Sequence, residues 1–143
     1  MALLNRVIIY GTDIDDDAII KAKDGLYSLC SFTYTPESIL KRYFMKDGNN
    51  FRINEKIKAS VQFLNLDIFD KPRFGKCDLI MCRNVLIYLD RKAQSLILEN
   101  LFEQLKPDGY LVIGKVELLL GIPEAKLFEI VNRTEHVYRK GRV

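Results

Sequence analysis

No apolar run in this 143-residue chain approaches the roughly 20 residues that a bilayer-spanning helix needs, so no membrane insertion is expected. The opening residues, Met1 to Arg6, lack the basic-then-apolar pattern of a secretory signal, which points to the cytoplasm. Cysteine is sparse. Cys30, Cys77 and Cys82 form no CxxC pair, and an odd count at irregular spacing supports neither a disulfide framework nor a structural zinc site. The single histidine, His136, stands in Glu-His-Val-Tyr without a companion ligand. That setting predicts a strand residue and gives no support to a metal site or a histidine-based triad. An excess of one charge is also missing. The 22 basic and 19 acidic residues are interspersed and leave only +3, too mild to argue for nucleic acid or an anionic membrane. What is present is globular composition, 48% apolar and 29% charged, without repeats or low-complexity segments. A chain of this length can bury roughly 68–70% of its unfolded surface around one core.

Continuous apolar runs mark the strands. Val7-Ile8-Ile9-Tyr10 ends in Gly11-Thr12-Asp13, as expected for a strand buried on both faces of a parallel sheet. Asp15-Asp16-Asp17, then Ala18, Ile19 and Ala22, then Gly25 predict a helix over about 16–24 with acids at its positive end and a glycine stop. Thr35-Pro36-Glu37 starts a second helix with Ile39, Leu40, Tyr43 and Phe44 on its apolar face. Asp47-Gly48-Asn49-Asn50 is a turn signal before Phe51-Arg52-Ile53, so about 35–58 reads as a small inserted helix-and-hairpin β-subdomain. Val61 to Leu66 and Cys77 to Cys82 are further strands. Asp90 caps a helix carrying Ala93, Ile97, Leu101 and Leu105, stopped by Lys106-Pro107-Asp108-Gly109. Tyr110 to Ile113 is a fourth strand, and Leu127 to Val131 with Glu135 to Arg139 predict a terminal hairpin.

Strands alternating with helices imply an α/β fold, in which ligands sit beyond the carboxyl ends of the strands. The residues there are Asp13, Asn65 with Leu66, and Cys82 with Arg83 and Asn84. The acidic start admits three readings. Asp13, Asp15 and Asp17 resemble part of a calcium loop, but Ala18 stands where glycine is required. Asp13-x-Asp15 after a strand resembles the nucleophile and acid/base pair of haloacid dehalogenase-like phosphatases, although Asp16-Asp17 replaces the usual Gly-Thr. The third reading is a carboxylate accepting hydrogen bonds from two vicinal ribose hydroxyls.

Companion motifs favour the third. Thr12-Asp13-Ile14-Asp15, Ala22 to Tyr27, Leu40 to Phe44, Asn65-Leu66, Phe74 to Asp78, Cys82-Arg83-Asn84-Val85-Leu86-Ile87-Tyr88 and Leu105 to Leu111 occur in that order. Together they resemble the CheR-type chemotaxis receptor methyltransferases from about Val7 onward. The resemblance implies a Rossmann-like, S-adenosylmethionine-dependent methyltransferase sheet, mostly parallel with an antiparallel C-terminal strand. It implies methyl transfer from S-adenosylmethionine to glutamate side chains in the cytoplasmic domain of chemotaxis receptors. Position by position, Asp13 corresponds to the ribose-binding acid, and Asn65 and Leu66 to the pair flanking adenine. Cys82 and Arg83 correspond to cofactor contacts after the next strand, and Tyr88 to the tyrosine near the methyl group. Plainer roles stand beside these: a surface ion pair for Arg83, a buried aromatic for Tyr88, and a cap of its own loop for Asn65.

Two departures from the family pattern stand out. No N-terminal helical domain and no first strand with its Gly-containing loop precede Val7. The family sheet would place that strand centrally, between the strands at 7–12 and 61–65. The chain is thus expected to be the C-terminal portion of a methyltransferase, with sheet edges open to self-association. The second departure is Gly114-Lys115-Val116-Glu117, where the family usually has Gly-His-Ser-Glu. A non-catalytic module of the same fold is the alternative to an enzyme.

Overall fold

A computed structural model describes residues 7–119 and 121–142. The chain forms two compact units, one ending at Asp67 and the other beginning at Ile68. In chain order the first unit holds β1 (Ile9–Asp13), α1 (Asp16–Asp24), β2 (Leu26–Ser28), α2 (Glu37–Tyr43), β3 (Phe44–Asp47), β4 (Asn50–Ile53), α3 (Glu55–Lys58) and β5 (Val61–Asn65). The second holds β6 (Cys77–Cys82), α4 (Arg91–Gln104), β7 (Leu105–Ile113), β8 (Phe128–Asn132) and β9 (Val137–Lys140).

In the first unit β1 and β5 form a parallel ladder, with Ile9 opposite Val61 and Asp13 opposite Asn65. They are direct neighbours, which corrects the expectation that an absent strand belongs between them: a ladder with every rung closed has no place for one. α1 follows from local chemistry. The Asp15 carboxylate accepts from Asp17 N at its start, and Gly25 ends it at φ 69°, where its N–H donates to Lys21 O. Gly25 also sits against β4, where an added Cβ would lie 2.7 Å from Ile53 Cγ2.

The remaining strands of this unit form a three-stranded antiparallel sheet in the order β2-β4-β3. Its first strand comes from Leu26–Ser28, upstream of the stretch where the sequence suggests the insertion. Tyr27, Phe32, Phe44 and Phe51 meet edge to face over it, with ring centroids 4.8–6.1 Å apart. Arg52 ties the sheet to α1 by donating to Asp24 Oδ1 and Asp47 Oδ2 at 2.9 and 3.1 Å.

The second unit carries a four-stranded sheet in the order β6-β7-β9-β8. β6 and β7 are parallel, and β9 runs antiparallel to both neighbours. Hence β6, β7 and β8 share one direction and only the C-terminal strand is reversed, as the methyltransferase resemblance implies. Ile97, Leu98, Leu105, Leu111 and Ile113 are fully buried between α4 and the sheet. Burying each such side chain contributes roughly 1.5–3 kcal/mol, so this layer dominates the unit's stability. Lys106 to Gly109 does not lie outside the strands: α4 ends at Gln104, β7 begins at Leu105, and the register shifts between Cys77 and Leu79 to absorb the extra residues. His136 is also corrected, from strand to turn. It has φ 51° and precedes β9, and its Nδ1 donates to Gly114 O at 2.9 Å.

Candidate functional site

The site residues divide between the two units. In the first, parallel register places Asp13 and Asn65 side by side at the carboxyl ends of β1 and β5. Asp13 uses Oδ1 to accept from Asp15 N at 3.0 Å, fixing the turn into α1, and among the described residues nothing donates to Oδ2. The Asn65 amide donates through Nδ2 to Ile14 O at 2.9 Å and Asp16 Oδ1 at 2.7 Å, which aligns its carbonyl oxygen. Asn65 therefore secures the β1–α1 loop and not its own. Leu66 N donates to Asp13 O at 2.9 Å, continuing the ladder past the strand end and leaving the Leu66 side chain half-buried there.

The Asp13 and Asn65 side chains both present acceptors, and the vicinal ribose hydroxyls and amino group of an adenosine are donors, so the set is of a kind that could hold one. Asp15 is the N-cap of α1 and accepts from Asp17 N through Oδ1 at 2.9 Å. Among the described residues no group of three or more histidine, cysteine or acidic side chains could hold a metal ion.

In the second unit β6 ends in Cys82 and the chain turns through Arg83 and Asn84, the latter at φ 61°. The Cys82 side chain is only 5% exposed and packs into the core under α4. Burial, together with the Glu117 carboxylate, pushes its thiol up to about 12. Cys82 is therefore a neutral packing group, and only its backbone is available to a ligand. Arg83 is exposed and has no ion-pair partner among the described residues, so it is not part of a surface salt bridge here. Tyr88, at the end of a 3₁₀ turn spanning Leu86–Tyr88, is 81% exposed and is not a buried aromatic.

One residue of consequence is not singled out by sequence reasoning. Glu117 is 2% exposed, and its carboxylate accepts from Asn84 N at 3.0 Å, from Leu86 N at 2.7 Å and from Gly114 N. The signal available was that Glu117 keeps the acid of the family's Gly-His-Ser-Glu pattern just after a buried strand.

The fold is that of S-adenosylmethionine-dependent methyltransferases. The N-methyltransferase NodS from Bradyrhizobium japonicum, solved in complex with S-adenosyl-L-homocysteine, superposes with a TM-score of 0.59 at 17% identity, covering 94% of this chain and 67% of that one. The family described as "CheR methyltransferase, SAM binding domain" matches residues 2–137, and the chain belongs to that family. It is 33% identical over 113 residues to Chemotaxis protein methyltransferase 2 of Vibrio cholerae, covering 76% of this chain and 39% of that protein. It is likewise 33% identical over 115 residues to the Chemotaxis protein methyltransferase of Salmonella typhimurium, covering 76% of this chain and 40% of that protein. The chain thus spans about two fifths of the length of these relatives. The cofactor of this domain is S-adenosylmethionine.

Proposed function

We propose that this chain holds the adenosine end of S-adenosylmethionine in a cytoplasmic protein-glutamate methyltransferase that modifies chemotaxis receptors. The observation that carries this reading is the in-register pairing of Asp13 with Asn65 at the ends of two parallel strands. The relatives' names as chemotaxis protein methyltransferases support methyl transfer in chemotaxis, and the receptor glutamate follows from the family resemblance.

S-adenosylmethionine supplies a methyl group on a sulfonium, which passes to a carboxylate oxygen while the carbon–sulfur bonding pair returns to sulfur. A glutamate side chain is already anionic at neutral pH, so this chain needs no general base. The task of its residues is orientation and exclusion of water. When the cofactor is bound, Asp13 Oδ2 would accept from the ribose hydroxyls and the Asn65 carbonyl from the adenine amino group, with Leu66 beside the ring. Arg83, charged and without an ionic partner among the described residues, receives the incoming carboxylate or supports the cofactor. Tyr88, exposed at the end of its 3₁₀ turn, takes the place the family resemblance gives it near the methyl group, and Cys82 contributes backbone only.

Titration calorimetry with S-adenosylhomocysteine tests the reading. Micromolar binding that weakens by at least about tenfold in Asp13→Ala supports it, since a hydrogen bond to a charged group contributes about 1.5–3 kcal/mol. Binding indifferent to Asp13→Ala overturns the assignment. A chain that ignores the nucleoside yet binds a receptor cytoplasmic segment is instead a non-catalytic module. We also infer self-association through the unpaired edges of β5 and β6, each of which has one ladder partner among the described residues.

A further inference from the structure

We propose that Glu117 is a positioning residue that fixes the direction of Arg83 by gripping the peptide unit between Arg83 and Asn84. The inference rests on the reading of Arg83 as a contact of the transfer site. Glu117 is a buried carboxylate with no cation beside it among the described residues. A buried charge is costly unless its lone pairs are filled, and here three backbone amides fill them. Two of those amides, Asn84 N and Leu86 N, belong to the loop that follows β6, and the third, Gly114 N, closes the end of β7. The Asn84 amide is part of the same planar unit as the Arg83 carbonyl, so holding it sets ψ of Arg83.

Two further features fit the loop to the clamp. Asn84 sits at φ 61°, the left-handed region that asparagine adopts more readily than most L residues, which turns the chain sharply after Arg83. Gly114 admits the loop at a distance no other residue allows: a Cβ there would lie 2.4 Å from Asn84 Oδ1, 2.7 Å from Glu117 Oε2 and 3.0 Å from Asn84 N. The turn holding Glu117 is itself fixed, because Gly114 O accepts from Glu117 N at 3.0 Å and from His136 Nδ1 at 2.9 Å. The residues between, Lys115 and Val116, are exposed and make no part of the clamp, so their departure from the family pattern leaves it intact.

The test uses the full chain and Glu117→Gln. Glutamine has the same shape, but its NH₂ confronts backbone donors on one side. Without ligand, the Asn84 and Leu86 amide resonances and the Arg83 carbon shifts that report ψ are expected to move in Glu117→Gln; unchanged shifts overturn the inference whatever the chain binds. With S-adenosylhomocysteine, Glu117→Gln is expected to weaken binding about tenfold, and the loss is expected to vanish when Arg83→Ala is already present. An equal loss in both backgrounds would mean general destabilisation and also overturns it. If Glu117→Gln does not fold, scalar couplings across the hydrogen bonds from Asn84 N and Leu86 N to the Glu117 carboxylate carbon in the unaltered chain decide the matter, and their absence refutes the clamp. Failure of the unaltered chain to bind the nucleoside would count against the proposed function alone, because the ligand-free shifts judge the clamp separately.

Discussion

Cys82 shows how a side chain at a strand end can be chemically silent. Its thiol is raised from 9.0 to about 12 when folded, so between those values the folded chain keeps a proton that the unfolded chain releases. The stabilisation is complete below pH 9 and is lost as pH rises toward about 12, at about 1.4 kcal/mol per pH unit. Urea melts across that range are expected to show the slope and to lose it in Cys82→Ala. At neutral pH, alkylation by iodoacetamide is expected to mark exposed Cys30 first, half-buried Cys77 more slowly and Cys82 only on unfolding. Modification of Cys82 at the rate of Cys30 would contradict this packing. Residue identity at strand ends was legible in the sequence, because Asp13, Asn65 and Arg83 each follow an apolar run. Two of the three partners of Glu117 were not, since they lie 31–33 residues away in the loop after β6.

At the scale of elements, caps and stops were readable because their chemistry is local. Asp15 and Gly25 bound α1, and Asp90 begins α4 by accepting from Ala93 N at 2.8 Å. β2 was not readable: three residues offer no alternation, and only pairing with β4 makes Leu26–Ser28 a strand. The adjacency of β1 and β5 was also hidden, because partner choice in a parallel ladder is decided by chain segments about fifty residues apart. Two substitutions probe the elements. Gly25→Ala places a Cβ in a left-handed backbone and against Ile53, and should cost about 1–3 kcal/mol in urea unfolding. Lys140 Nζ donates to Phe102 O and Leu105 O at 2.6 and 2.8 Å, closing the end of α4, and sits 4.2 Å from the Phe102 ring centroid. Lys140→Met should cost about 1–2 kcal/mol, and an unchanged midpoint would show that the cap contributes nothing.

For the whole molecule the open edges matter most. β6 presents Leu79 at 53% and Met81 at 63% exposure, and among the described residues it pairs with β7 alone. Exposed apolar residues on an unpaired strand are a template for further pairing. Sedimentation velocity is expected to show a dimer fraction that grows with concentration and falls when a charge is placed on the edge by Met81→Lys. A single compact monomer at every concentration would refute the self-association.

The rung that joins Asp13 to Asn65 also belongs to a ladder of two strands among the described residues, and such a ladder is marginal by itself. Under the proposed function, closing the ladder and capturing a nucleoside at its tip are thermodynamically linked. Whatever stiffens β1 against β5, such as an additional strand on the outer side, raises ligand affinity by the same factor by which ligand protects the ladder from opening. Slowed deuterium uptake at the Leu66 amide in the presence of S-adenosylhomocysteine would measure that reciprocity directly.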